Sequence, residues 1–310
     1  MSTASVGNHA EARVVNAMSV DVEDYFHVSV FEGIVPRSRW PQMESRVVAN
    51  TTRLLDLFDE FRVRATFFVL GWVAERQPHL VRDIVGRGHE LASHGYEHRL
   101  VYDQAPGAFR EDIRRAKRLL EDTSGASVDG YRAPSFSITA RSLWALDILI
   151  EEGHAYDASI FPIRHDRYGI PGAPRHPYRV DRPTGSLMEV PGSTVRLGAV
   201  HLPIAGGGYF RILPYAWTRW GIAHLNHAER QGAVFYVHPW ELDPDQPRLP
   251  ASPLGRFRHY RNLEKTERRL RALLAEFRFG TVASLVRCAA TAPSSDCIVG
   301  GVAHLTGNAK

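Results

Sequence analysis

Short apolar, β-prone runs alternate with amphipathic helical stretches across residues 17–159, and this alternation restricts the fold more than any other property of the chain. The first run, 17–26 (AMSVDVEDYF), reads as a strand that ends in three acids. Residues 47–61 follow, with Leu54, Leu55, Leu57, Phe58 and Phe61 at near-helical spacing. A strand is predicted at 65–70, a helix around 78–86, and a turn and short strand over 86–92. Residues 103–121 read as a charged amphipathic helix whose apolar face is Phe109, Ile113, Ala116, Leu119 and Leu120. A short strand broken by proline lies at 130–136, a helix over 140–152 ends at Gly153, and another turn begins at 156–159. Strand and helix in alternation predict an α/β fold with a largely parallel sheet or barrel.

Residues 161–215 are richer in Pro and Gly and read as a long decorated connection rather than a separate domain. They include Gly206-Gly207-Gly208, which no Lys-Ser/Thr follows, so a flexible turn beside a substrate groove is expected there, not a phosphate loop. Residues 233–237 (AVFYV) read as a strand that delivers His238, and 256–279 as one amphipathic helix closing the fold. The expected organisation is a disordered tail over 1–16, one domain over 17–285 and a disordered tail over 286–310.

Three places carry chemistry. In 93–98 (SHGYEH), His94 and His98 stand four residues apart, which on a helix puts both imidazoles on one face and within reach of one metal ion. The pair follows a strand, where α/β folds place their sites. Asp21, Glu23 and Asp24 cluster at the end of the first strand, and charged groups there need a partner or a metal. In an extended chain Asp21 and Glu23 project to one side and Asp24 to the other. His238 ends the 233–237 strand, the place of the third element that a hydrolase needs.

Composition narrows the class. Formal net charge is +4, with the excess arginine concentrated in the last sixty or so residues, and a solvated basic face explains this better than nucleic-acid binding. Two cysteines, Cys288 and Cys297, make neither a disulfide framework nor a cysteine metal site. No apolar run reaches the length of an integral membrane segment, and the first sixteen residues lack a signal-peptide core, so a cytoplasmic location is expected.

Taken in order, these segments resemble the polysaccharide deacetylases with a nodulation-type deacetylase homology domain, and within them the subgroup associated with exosortase systems and exopolysaccharide synthesis. The markers are 19–26 (SVDVEDYF), 65–71 (ATFFVLG), 93–98, 130–136 (GYRAPSF), 156–159 (YDAS), 235–241 (FYVHPWE) and, for the subgroup's extension, 257–263 (FRHYRNL). The resemblance covers about residues 18–282 and implies a distorted (β/α)7 barrel. It also implies one divalent metal held by an acid and two histidines: zinc, with Co2+, Ni2+ and Fe2+ also suited to such a set. His94 and His98 match the two histidine ligands. The commonest acidic motif has adjacent aspartates, whereas here Val22 fills the second position. Some relatives use acid-x-acid spacing, which assigns Asp21 as general base and Glu23 as third ligand, with Asp24 as the fallback.

The resemblance further implies that Arg132 orients the base, that His238 is the general acid, and that Asp157 lies in the motif supplying a carboxylate to that histidine. Ser135 stands where many relatives have tyrosine, leaving a backbone N–H near Ser135 for the oxyanion. Trp240, Tyr25 and Tyr209 are candidates for stacking on a sugar. The implied activity is removal of acetyl groups from N-acetylated sugars of an exopolysaccharide or its precursor, with a glycan or lipid-linked oligosaccharide as partner. An allantoinase-like hydrolase of small cyclic amides and a non-catalytic glycan-binding protein are the alternatives; the latter has no need of Asp21, His94, His98, Arg132 and His238 together.

Overall fold

The computed structural model of the chain describes residues 14–291. Its strands are β1 (Asn16–Val22), β2 (Thr66–Val69), β3 (Glu90–Ser93), β4 (Gly130–Tyr131), β5 (Tyr156–Asp157), β6 (Tyr178–Arg182), β7 (Gly185–Glu189), β8 (Thr194–Leu197), β9 (Val200–Pro203), β10 (Val234–Val237) and β11 (Phe279–Gly280). The main sheet runs β10-β1-β2-β3-β4-β5-β7-β6. From β10 to β7 every neighbour is parallel; β6 lies antiparallel on β7, and β11 pairs with the start of β1. Seven parallel strands thus make the largely parallel sheet that the alternation of strand and helix predicts, in the number that the resemblance to a distorted (β/α)7 barrel implies. β8 and β9 make a separate hairpin.

The helices are α1 (Val47–Glu60), α2 (Gly71–Arg76), α3 (Pro78–Gly86), α4 (Pro106–Ser124), α5 (Trp144–Glu151), α6 (Gly207–Ile212), α7 (Tyr215–His227), α8 (Pro253–Tyr260), α9 (Leu263–Glu276) and α10 (Val282–Thr291). Side chains alternate across β1. Met18, Val20 and Val22 pack outward on Leu54 and Phe58 of α1 and Leu270 and Leu273 of α9. Ala17 joins Phe68, Ala92, Tyr156 and Val234 on the inner face. Asp21, two steps from Ser19 and four from Ala17, shares that inner face at the C-terminal end of β1. A second core joins α4 and α5 to the β4–β7 side through Phe109, Ile113, Leu146 and Leu149.

Several boundaries differ from expectation. Residues 256–279 are two helices, because Asn262 turns left-handed (φ +55°) and gives its side chain to the Arg211 carbonyl at 2.7 Å. Residues 156–157 are a strand rather than the start of a turn. Asn16 already belongs to β1, its amide held by Asn226 and the Arg278 carbonyl. α10 continues to Thr291 because Val282, Leu285 and Val286 pack on the inner core. The tails expected at 1–16 and 286–310 are shortened accordingly, and their remainders lie outside the described residues, as does Cys297. Cys288 is exposed on α10. Among the described residues no helix is long and apolar enough to cross a membrane.

Candidate functional site

His94 and His98 converge, but not on a helix. Residues 94–98 form a loop after β3, with Gly95 (φ +74°) and His98 (φ +52°) left-handed. Partners outside the loop satisfy its backbone. Gly71 N and Trp72 N at the start of α2 donate to the carbonyls of Gly95 (2.8 Å) and Tyr96 (3.0 Å). The Asp112 carboxylate accepts from Tyr96 N (2.8 Å) and Glu97 N (3.3 Å). A β-carbon on Gly71 would stand 2.4 Å from the Tyr96 ring, so glycine permits this close approach. The imidazole centroids come to 5.4 Å. His94 Nδ1 donates to the Arg132 carbonyl (2.8 Å), which leaves Nε2 with its lone pair for a ligand.

Glu23 supplies the third arm. One ligand atom from each of Glu23, His94 and His98 lies within 4.8 Å of the others, and all three residues are buried. Glu23 Oε2 sits 2.8 Å from His98 Nε2, yet this buried oxygen has no aligned hydrogen-bond donor. An unsatisfied carboxylate oxygen facing two imidazoles is costly unless a cation completes the group, so the residues fit a divalent metal. Burial alone would raise the Glu23 pKa, but His98, His238 and His94 outweigh it and hold the carboxyl far below its usual range. Asp24 points away: its carboxylate accepts from Ser45 Oγ (2.7 Å) and Arg46 N (3.0 Å), capping α1, and burial lifts its pKa to about 6.

Asp21 lies beside this group. Arg132, buried over the Phe68 ring, donates from Nη1 to Asp21 Oδ1 (2.7 Å) and Ser19 Oγ (2.8 Å), and from Nε to the Ala158 carbonyl (3.2 Å). His238 Nε2 is 3.8 Å from Asp21 Oδ2 and 3.5 Å from Glu23 Oε1. The carboxylate that orients His238 is Glu241, not Asp157. Glu241 Oε1 accepts from His238 Nδ1 (2.6 Å) and His238 N (3.0 Å), while Oε2 accepts from the buried Arg211 Nε (2.5 Å). Burial depresses His238, but the Glu241 hydrogen bond and the charges of Glu23, Glu241 and Asp21 raise it to about 9. Glu241, which burial would raise, is held at about 2 by Arg211 and His238. Asp157 is instead buried against Ser159 Oγ (2.5 Å) and beside Glu189, which burial and the Asp157 charge push well above its usual range.

These groups open into a cleft of about 630 Å³ that holds Asp21, Glu23, His94, His98, Ser135 and His238. Ser135 is left-handed (φ +53°), its Oγ 2.5 Å from Ser29 Oγ. Trp240 reaches the cleft but is only 4% exposed, stacked on His238 (5.2 Å) and His259 (4.2 Å), with Nε1 donating to Glu23 Oε1 (3.3 Å). Its ring therefore packs between His238 and His259 and is not an open sugar platform. Tyr25 does not line the cleft; it is buried edge-on to Phe26, a core residue where sugar stacking is expected from sequence. Tyr209 does line it, bonded to Tyr168 through their hydroxyls (2.9 Å), and Gly207 and Gly208 form part of the wall. Glu241 and Arg211 are functional-site residues that the sequence expectations do not include. The signal for Glu241 was its position three residues after His238, the spacing of a capping box; Arg211 left none.

The chain is similar to known proteins in sequence and in fold. Residues 42–149 match the polysaccharide deacetylase family, and 158–287 match a domain of unknown function (DUF3473). A chitooligosaccharide deacetylase of Bradyrhizobium sp. is 27% identical over 49% of this chain and 63% of its own length. One from Sinorhizobium fredii is 34% identical over 36% of this chain and 49% of its own. The chain thus spans less than two thirds of the length of these curated relatives. A solved structure from Mycobacterium smegmatis, assigned as a polysaccharide deacetylase, is 22% identical with a TM-score of 0.59, covering 90% of this chain and 92% of that one. The Puue allantoinase, 16% identical and covering 92% and 93%, superposes at 0.60. These two share the fold. The family match lies over the strands and helices that build the histidine loop, and over that part the chain is similar to polysaccharide deacetylases.

Proposed function

We propose that this chain is a metal-dependent deacetylase that hydrolyses the N-acetyl group of amino sugars in an exopolysaccharide or its lipid-linked precursor. The observation that carries the reading is one cleft holding the Glu23, His94 and His98 ligand atoms beside two pre-oriented pairs, Asp21–Arg132 and His238–Glu241. A divalent ion, zinc by the donor set, would be held by Glu23, His94 and His98 and would supply Lewis-acid activation of water and of the amide carbonyl. Asp21, fixed by Arg132, takes the proton of the attacking water. His238 gives its Nδ1–H to Glu241 and so presents Nε2 to the departing amine, to which it donates a proton. The left-handed turn at Ser135 supports a backbone N–H as donor to the tetrahedral oxyanion.

A glycan is favoured over a small cyclic amide because the cleft wall includes exposed residues, Leu254 and Arg258 among them, and so stays open to a chain. The names of the chitooligosaccharide relatives support the same substrate class. The test is acetate release from N-acetylglucosamine oligomers by purified protein, chelated and then reloaded with zinc. Release that returns with zinc supports the reading. Silence with stoichiometric metal moves it to another glycan or to a cyclic amide, and silence without bound metal removes the site assignment.

A further inference from the structure

Helix α8 forms one lip of the cleft. Its inner stripe, Gly255 and His259, is buried, with His259 stacked on Trp240. Leu254, Phe257 and Arg258 follow the i, i+3, i+4 spacing that puts side chains on one helical face, and Arg261 follows as the extended residue that ends the helix. That face is turned outward: Leu254 is 58% exposed and Phe257 47%, and both arginines are exposed. Elsewhere Arg110, Arg114 and Arg271 each contact two acids and Arg87 three. Among the described residues, Arg256, Arg258, Arg261 and the adjacent Arg248 meet no carboxylate. Arg261 instead lies over Phe257 (5.7 Å) and Arg248 over Tyr260 (4.3 Å).

Large apolar side chains beside uncompensated guanidinium groups on one stripe have the chemistry of a helix that lies in a lipid interface. The guanidinium groups complement lipid phosphates, and the apolar pair gains by leaving water where a soluble anion would offer it nothing. We infer that the outer face of α8 docks this protein on an anionic membrane surface, Leu254 and Phe257 entering the interface and Arg258 and Arg261 meeting lipid phosphates. Leu254 and Arg258 also line the cleft, so docking brings its mouth to the bilayer. The corollary that the substrate is presented at the membrane rests on the deacetylase reading; the docking itself does not.

The experiment is co-sedimentation of the full chain with vesicles of phosphatidylcholine alone or mixed equally with phosphatidylglycerol, at low and high salt, with folding checked by circular dichroism. Wild type should bind the anionic vesicles, more weakly as salt rises. Leu254→Ser/Phe257→Ser should lose on the order of tenfold in partitioning. Arg258→Gln/Arg261→Gln should lose about fivefold per arginine. Absence of wild-type binding to anionic vesicles would overturn the inference. So would binding that the apolar double variant leaves unchanged, since the basic stripe would then serve any anion, such as an acidic oligosaccharide. Because nothing here depends on turnover, a failure of the deacetylase reading would be seen separately.

Discussion

Replacing Glu241 by Gln keeps the shape of the group beside His238 and removes its charge. In the native protein Glu241 Oε1 holds both His238 Nδ1 (2.6 Å) and His238 N (3.0 Å). Burial opposes a charged imidazole, yet Glu241, with Glu23 and Asp21, raises His238 to about 9. A cation bound by Glu23 offsets that carboxylate and leaves Glu241 as the main support. A hydrogen bond to a charged group contributes about 1.5–3 kcal/mol, which is roughly one to two pKa units. The sign follows from the direction of the shift. A raised pKa keeps the acid protonated at neutral pH, so losing Glu241 lets the proton go at lower pH. In acetate release by E241Q, the alkaline limb of the kcat/KM profile should move down by roughly one to two units. The rate should fall about tenfold near pH 8.5 and change little near pH 6, with bound metal unchanged. Arg211 keeps its carbonyl acceptors at Arg258, His259 and Arg261, so the variant should fold, and thermal melting checks this. An alkaline limb that stays in place, or a loss equal at all pH, would refute the reasoning.

Other perturbations separate structure from chemistry. Asp24→Ala removes the acceptor for Ser45 and Arg46 at the start of α1 and should cost about 1–3 kcal/mol in urea denaturation while leaving metal content intact. His154 is buried and depressed from 6.5 to about 3, so it binds its proton only when unfolded. Its contribution is fully present above pH 6.5 and is lost as pH falls towards 3; near pH 5 the loss is ~2 kcal/mol. His154→Leu should flatten the acid limb of stability by that amount, and an unchanged limb would contradict the assignment. Gly206 has φ +86°, and a β-carbon there would stand 2.1 Å from the Tyr236 ring. Gly206→Ala should therefore lower stability by about 2 kcal/mol or more in thermal unfolding, and a neutral effect would show that the Tyr236 wall is free to move.

The parallel sheet is legible because its signal is local: β2 and β10 are short apolar runs, and β1 sets apolar Met18, Val20 and Val22 at alternate positions. Strand geometry also placed Asp21 and Glu23 together and sent Asp24 elsewhere. The histidine pair was read correctly as convergent but for the wrong local reason. The loop conformation depends on Asp112 and the N-terminus of α2, contacts that spacing along the chain cannot show. The partner of His238 is hidden from the sequence for a different cause. The family motif points to Asp157, whereas the nearer Glu241 is selected by the turn after β10 and by Arg211, which approaches from α6. Tyr25 and Trp240 looked like sugar platforms because aromatic composition does not distinguish a buried ring from an exposed one. The break at Asn262 was hidden by apolar spacing that stays near-helical on both sides.

The most direct test of the account is metal content, measured together with acetate release, for the wild type, Glu23→Ala, His94→Ala and His238→Ala. The account predicts one divalent ion per chain and metal-dependent release in the wild type. Glu23→Ala and His94→Ala should lose both, and His238→Ala should keep the ion and lose about a hundredfold or more in turnover. Acetate release by metal-free protein, or full metal and activity in Glu23→Ala, would contradict it.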